Sequence, residues 1–523
     1  MPVAKTAVDK YLARDPWESL AWFKSLLPLE VEEELSYIRP RPKFHCPLRT
    51  DQKVLFLVGL AHPDVVFMSD LGSGKTSVSL ELLSYFYDHG FMRRGFVFAP
   101  TDEVAEGWED EINKWGFDIP HVRLSGSSRK KWDAVQNFGD GLVIGTYIGV
   151  AAMVSKLAAV EGSKKRKRQV HARSMLGLVD RVDAVVYDQS TRLGDTKSLS
   201  FEVCKQFSLE SQLRYALAGR AFGRDAFVLW SQFFLTDRGR ALGTSAGMFR
   251  EAFWRRRQTP WGIKWVARKR REPELAKFIA SSSIRYSIDE CVQLPPKVPV
   301  LKECAFPDEN WAYYDEVVEE LVSARGNYRE VQNTFLRMRQ ISSGFIGFHD
   351  DETGERAQIE FAKNPKLDLL TQLIDEVPED RKLIVFYEFT WSGARICQEL
   401  AKAGHKFGWL WAGTKNWTTI KEAFNDDPDF RVIVANWRKA SMGLNLQAAN
   451  YIFYYESPVS AIERYESEGR IYRTGQKHKS MIYDVVVKDS ADEKILQFHK
   501  EGKDLFRSLV ENPAKYFKRR ARK

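Results

Sequence analysis

A chain of 523 residues with 44% hydrophobic content is too long for one ordinary core and too apolar for wholesale disorder, so two or three folded domains are expected. Its formal charge of +9 is modest and partly local, in "KKRKR" (164–168) and "YFKRRARK" (516–523), clusters that suit a polyanion or simply a solvated loop and tail. Five scattered cysteines (Cys46, Cys204, Cys291, Cys304, Cys397) with no Cys-x-x-Cys pair argue against a zinc ribbon or disulfide framework and fit a reducing compartment. No apolar run reaches the roughly 18 residues that span a bilayer, and the first residues show no signal-peptide core. A soluble cytoplasmic monomer without a membrane partner is expected. "KKRKR" could serve as a nuclear address, although so short a motif often arises by accident.

Residues 1–47 read as an N-terminal extension, part helical around "ESLAWFKSLLPLEVEEEL" and a candidate surface for a protein partner. "PLRTDQKVLF" (47–56) then places Arg49 and Gln52 shortly before "DLGSGKTS" (70–77), which follows an apolar stretch and precedes the helical pattern "SVSLELLSYFYD". Along Gly72, Ser73 and Gly74 the backbone N–H groups can approach phosphate oxygens closely. Lys75 would reach the β and γ phosphates, and Thr76, followed by Ser77, would offer its hydroxyl to Mg²⁺. The competing reading is a Gly-rich turn that caps a helix. The strand-to-helix context favours ATP with Mg²⁺.

Strand patterns follow at "GFVFAP" (95–100), "GLVIGTY" (141–147), "DAVVYD" (183–188) and "YALAG" (215–219), with a basic surface insertion near 161–173. The third ends in Asp188, where nucleotide hydrolases hold the Asp that supports Mg²⁺. The next residue in such sites is usually a Glu that positions or deprotonates water; here it is Gln189, an amide that cannot take a proton. A Pro-rich crossing at 293–307 leads to a helical stretch over 308–343. A second strand set comprises "KLIVFYEF" (382–389), "GWLWAG" (408–413), "RVIVAN" (431–436), "NYIFYYE" (450–456) and "IYDVVVKD" (482–489). Near-continuous apolar strands alternating with helices imply α/β lobes with parallel sheets. The expected division is lobe one over 48–292, lobe two over 308–500 with a helical insertion, and a basic tail over 501–523.

From about Leu48 to Ile495 the motifs resemble those of superfamily 2 helicase-like ATPases of the Swi/Snf type, most closely short phage and bacterial forms. "LRTDQ" is similar to the adenine-reading glutamine motif, with Gln52 in the glutamine place, and "DLGSGKT" to the phosphate loop. "FAPTDEVAEGWEDEINKW" (98–115) resembles a motif in which Thr101 faces DNA backbone, and "IGTY" (144–147) the next DNA-contacting strand end, at Thr146. "LAGRAFGRDAFVLWSQFFL" (217–235) is similar to the third motif, although Arg220 and Ala221 replace the usual Thr-Pro. "RYSIDECVQLPPK" (285–297) resembles the entry to the second lobe and "LIVFYEF" the fourth motif. "ANWRKASMGLNLQAANYIFYYE" (435–456) resembles the fifth, which gives Gly443 to the nucleotide and Ser441 and Asn445 to DNA; Trp437 there is a candidate DNA contact or a packing residue. "ERYESEGRIYRTGQ" (463–476) resembles the sixth, which gives Arg470 and Arg473 to the γ-phosphate. The resemblance implies two tandem RecA-like lobes and an ATP-driven translocase on duplex or branched DNA, held mainly by phosphate contacts.

The family pattern at the acidic strand end is Asp-Glu followed by two smaller residues, whereas this chain has Asp188-Gln189-Ser190-Thr191. Three accounts stay open. The glutamine is a substitution of the kind that traps the ATP-bound state; the protein is a slow or inactive ATPase that clamps DNA when ATP binds; or another acid, with Asp195 and Glu468 as candidates, replaces the glutamate.

Overall fold

The computed structural model describes residues 20–517 apart from 71, 160–165, 220–225, 260–261, 350–355, 412, 415–416, 441–445 and 502–504. Two compact units divide the chain, Met1–Gln293 and Leu294–Lys523. The first is built on strands β1 (Val66–Ser69), β2 (Arg94–Ala99), β3 (His121–Arg123), β4 (Gly141–Thr146), β5 (Ala184–Asp188), β6 (Leu213–Ala218) and β7 (Ser283–Tyr286). They form one parallel sheet in the order β7-β1-β6-β5-β2-β4-β3. Alternate residues feed two cores: Val66, Met68, Phe96, Phe98, Val185 and Tyr187 pack on one face. Phe67, Val97, Ala99, Val186 and Leu217 pack on the other. Burial on both faces is why these strands are continuously apolar. The described part of the N-terminal extension is tied down by Leu20, Phe23, Val31 and Leu35 in the second of these cores.

The second unit has strands β8 (Lys297–Cys304), β9 (Lys382–Tyr387), β10 (Phe407–Leu410), β11 (Val432–Asn436), β12 (Ala449–Tyr454) and β13 (Ser480–Val487). They run parallel in the order β8-β13-β12-β9-β11-β10. Each unit is thus a parallel α/β lobe, the fold class that the strand patterns imply.

Three stretches differ from expectation. The crossing at 293–307 contains β8, an integral edge strand. Its half-exposed alternation hides it in the sequence, and an edge tolerates Pro299 because no neighbour needs that N–H. The basic insertion lies partly outside the described residues, but Arg166–Val170 pairs antiparallel with Ser155–Ala159 as a hairpin. Part of the expected basic tail is core, since Leu505, Leu509 and Phe517 pack with Phe335 and Tyr314. Among the described residues, no helix is long and apolar enough to cross a membrane.

Candidate active site

β1 delivers the glycine loop at the carboxyl edge of the first sheet. Gly72 (φ 77°) and Gly74 (φ 81°) take left-handed backbone, which L side chains avoid. A Cβ on Gly74 would lie 2.2 Å from Gln52 Nε2, so glycine is required twice over there. The helix Lys75–Asp88 starts immediately afterwards without a side-chain cap. Its first main-chain bond is Val78 N to Gly74 O, so the amides before Val78 have no intrahelical acceptor and suit phosphate oxygens. Lys75 Nζ donates to the carbonyls of Ser69 and Asp70, folded against the loop.

Gln52 and Arg49 hold this loop from the helix Thr50–Ala61. Arg49 donates to Ser73 O at 2.7 Å and to both oxygens of Asp51. Gln52 Nε2 donates to Ser73 O at 3.3 Å while its Oε1 accepts from Arg49 N. Among the described residues, Ser73 Oγ, Ser69 Oγ and Asp70 Oδ1 are buried without a hydrogen-bond partner. Buried polar atoms normally find partners. The two orphaned serine hydroxyls beside an uncapped helix start fit phosphate oxygens, and the Thr76 hydroxyl and Asp188 carboxylate are the oxygen donors Mg²⁺ prefers.

Asp188 ends β5, on the same edge of the sheet as the loop: the registers Met68–Ala218 and Leu217–Asp188 carry the edge across β6. Trp108 Nε1 donates to Asp188 Oδ2 at 3.0 Å, and Tyr147 Oη donates to Asp188 O at 2.7 Å. Burial pushes the Tyr147 phenol well above its ordinary value, so it stays a neutral donor. Gln189 follows with φ 48°, a left-handed residue that is neither Gly nor Asn. Ser190 Oγ donates to Gln232 Oε1 at 3.0 Å and to Leu217 O, tying the acidic turn to the helix Ala226–Asp237.

Thr101 and Thr146, expected at DNA, are helix N-caps. Thr101 Oγ1 accepts from Val104 N and Thr146 Oγ1 from Gly149 N. Thr101 follows β2 by two residues and Thr146 ends β4, and the helices they start carry Trp108 and Tyr147, the two donors to Asp188. Sequence reasoning missed both donors; a Trp and a Tyr in helices directly after strand ends were the available signal. In the second unit, Arg470 is buried and Arg473 half-buried beyond the helix Ala461–Glu468. Gln476 Nε2 pins that turn to Ala449 O at 2.8 Å. Trp437 is 1% exposed and packs with Ile433 and Ala435, so it is core and not a DNA contact. Glu468 is bound to Arg464 (2.8 Å) and Lys297 (3.2 Å), and exposed Asp195 caps its own turn through Lys197 N, so each candidate replacement acid has a structural role. Ser441, Gly443, Asn445, Arg220 and Ala221 lie outside the described residues.

A parallel α/β unit with a glycine loop at one strand end and a braced aspartate at another defines a nucleotide-binding class. Residues 51–348 match the SNF2-related domain, and the chain belongs to that family. It is 20% identical over 472 residues to the nuclear protein STH1/NPS1 of Saccharomyces cerevisiae, covering 83% of this chain and 32% of that protein. It is 19% identical over 470 residues to an uncharacterized ATP-dependent helicase, MG018, of Mycoplasma genitalium, covering 87% of this chain and 41% of that protein. The chain thus spans well under half the length of these relatives. A SWI2/SNF2 ATPase core of Sulfolobus solfataricus, solved in complex with dsDNA, is similar with 19% identity and a TM-score of 0.39, covering 90% of this chain and 94% of that one.

Proposed function

We propose that this chain is the ATP-driven motor of a duplex-DNA translocase, with Gln189 making its own hydrolysis slow. The observation that carries the reading is the glycine loop with its orphaned buried oxygens on the same sheet edge as Asp188. Family membership, with relatives named as an ATP-dependent helicase and as ISWI and other chromatin-remodeling proteins, supports the same reading.

In this reading the N–H groups at the start of the helix Lys75–Asp88 and the Lys75 ammonium bind the phosphates, and Lys75 leaves the Ser69 and Asp70 carbonyls for them. Gln52 stands where adenine recognition is expected and also fixes the loop. Thr76 and Asp188 would hold Mg²⁺, which, when bound, neutralises charge on the phosphates. Gln189 orients the attacking water through its amide but takes no proton, so the water proton must leave by solvent or phosphate. Loss of such a base costs about 10² to 10⁴ in rate. Arg470 and Arg473, with Gly443, are assigned to the same nucleotide cycle. Alanine at either arginine removes turnover and leaves ATP affinity intact.

Thr101, Thr146, Ser441 and Asn445 are assigned to the DNA backbone. Trp108 and Tyr147 give the coupling a physical form: a shift of either capped helix moves a donor on Asp188. A nucleotide-gated clamp is the second reading, and Gln189 favours it. Displacement of a triplex-forming strand by the Gln189→Glu protein, dependent on ATP and without separation of the duplex, is expected of the motor. ATP-dependent DNA retention without displacement in that variant assigns the protein to the clamp.

A further inference from the structure

We infer that a basic hairpin of the first unit, outside every motif described above, is a second contact for the phosphate backbone of duplex nucleic acid. The stretch Trp254–Arg271 holds eight basic residues and no acid, almost matching the whole chain's +9. It forms the antiparallel strands Trp254–Thr259 and Gly262–Ala267, followed by a short turn of 3₁₀ helix at Lys269–Arg271.

The patch is built, not frayed. At its base Trp254 packs on Phe249, with ring centroids 5.4 Å apart. Arg268 Nε donates to Trp254 O at 3.1 Å and Arg271 to Ala252 O at 2.8 Å. The guanidinium groups of Arg250 and Arg256 lie 4.1 and 5.2 Å from the Trp265 ring, which fixes their direction. Arg256 also meets Glu251 at 3.8 Å. Arg255, Arg257, Lys269 and Arg270 are exposed, and a cavity of about 680 Å³ is lined by Arg255 and the four cations Arg268 to Arg271.

The occupant follows from this geometry. Arg255 and Arg257 lie on one face of an extended strand, so the cations form a row; a row suits successive phosphates better than a single anion. Guanidinium forks match phosphate oxygens. The inference rests on the duplex-DNA reading for its choice of polyanion.

The test compares the full chain with a variant carrying Arg255→Gln, Arg257→Gln, Lys269→Gln and Arg270→Gln, none of which holds the hairpin base. Duplex binding is followed by fluorescence anisotropy from low to moderate salt. Each phosphate contact adds about 0.9 to the slope of log affinity against log salt. The expected result is a slope smaller by about two to four and affinity at least tenfold weaker at fixed salt, with binding of a fluorescent ATP analogue unchanged. An unchanged slope overturns the inference while leaving the motor reading in place. Failure of the unsubstituted chain to bind duplex overturns both. Loss of binding to phosphatidylserine vesicles with the duplex slope retained also overturns it, in favour of a lipid surface.

Discussion

Gln189 adopts φ 48° at the end of a buried strand, where a non-glycine residue costs about 1 to 2 kcal/mol. Strain of this kind persists where surrounding structure enforces it and commonly marks a working site. Here the enforcement is visible: Asp188 before it is held by Trp108 and Tyr147, and Ser190 after it by Gln232. Removing the indole donor removes a hydrogen bond to a charged group, worth about 1.5 to 3 kcal/mol. In the Gln189→Glu background, Trp108→Phe is expected to lower kcat at least tenfold with duplex affinity within about twofold; unchanged turnover would deny Trp108 its positioning role. Lys75, Thr76 and Asp188 stand out in the sequence because the chemistry expected of them depends on local spacing. Trp108 was not, because its partner lies 80 residues away and no local pattern encodes the meeting.

At the level of the element, the loop and the helix Thr50–Ala61 are one device. Gly74→Ala meets two obstacles, the left-handed φ and the 2.2 Å approach to Gln52 Nε2. Nucleotide affinity is expected to fall more than tenfold. Adding Gln52→Ala removes the clash but not the backbone strain, so thermal unfolding should find partial recovery of the stability that Gly74→Ala costs. Full recovery would mean that strain is irrelevant, and none that Gln52 is not the obstacle. Sequence legibility follows the same physics. Strands buried on both faces, such as β5 ("AVVYD") and β11 ("VIVAN"), announce themselves as apolar runs. β3 is three half-buried residues, β7 contains exposed Arg285, and β8 alternates at an edge with Pro299 inside it. Each of these strands is identified by its neighbours in the sheet and carries little signal of its own.

Across the whole molecule, each unit has its own sheet and cores, and the second carries a titrating group at its centre. Burial holds the Glu456 carboxyl above its ordinary 4.5, although Ser392 Oγ and the amides of Glu388 and Phe389 donate to it. A raised folded value means that the folded state binds the proton more tightly. The resulting stability is present below pH 4.5 and is lost as pH rises from there through the folded value. Glu456→Gln should therefore gain stability relative to the parent as pH rises, read from urea midpoints at pH 5 and pH 8. A difference independent of pH would show that this carboxyl ionises normally. The central claim, that an intact ATP motor is slowed at one residue, is tested most directly by steady-state ATP hydrolysis with and without duplex DNA. The parent, Gln189→Glu and Lys75→Ala are compared. The account predicts DNA-stimulated turnover in Gln189→Glu at least 100-fold above the parent, in line with the usual worth of a general base, and none in Lys75→Ala. Equal turnover in the parent and Gln189→Glu, whether fast or absent, would contradict it.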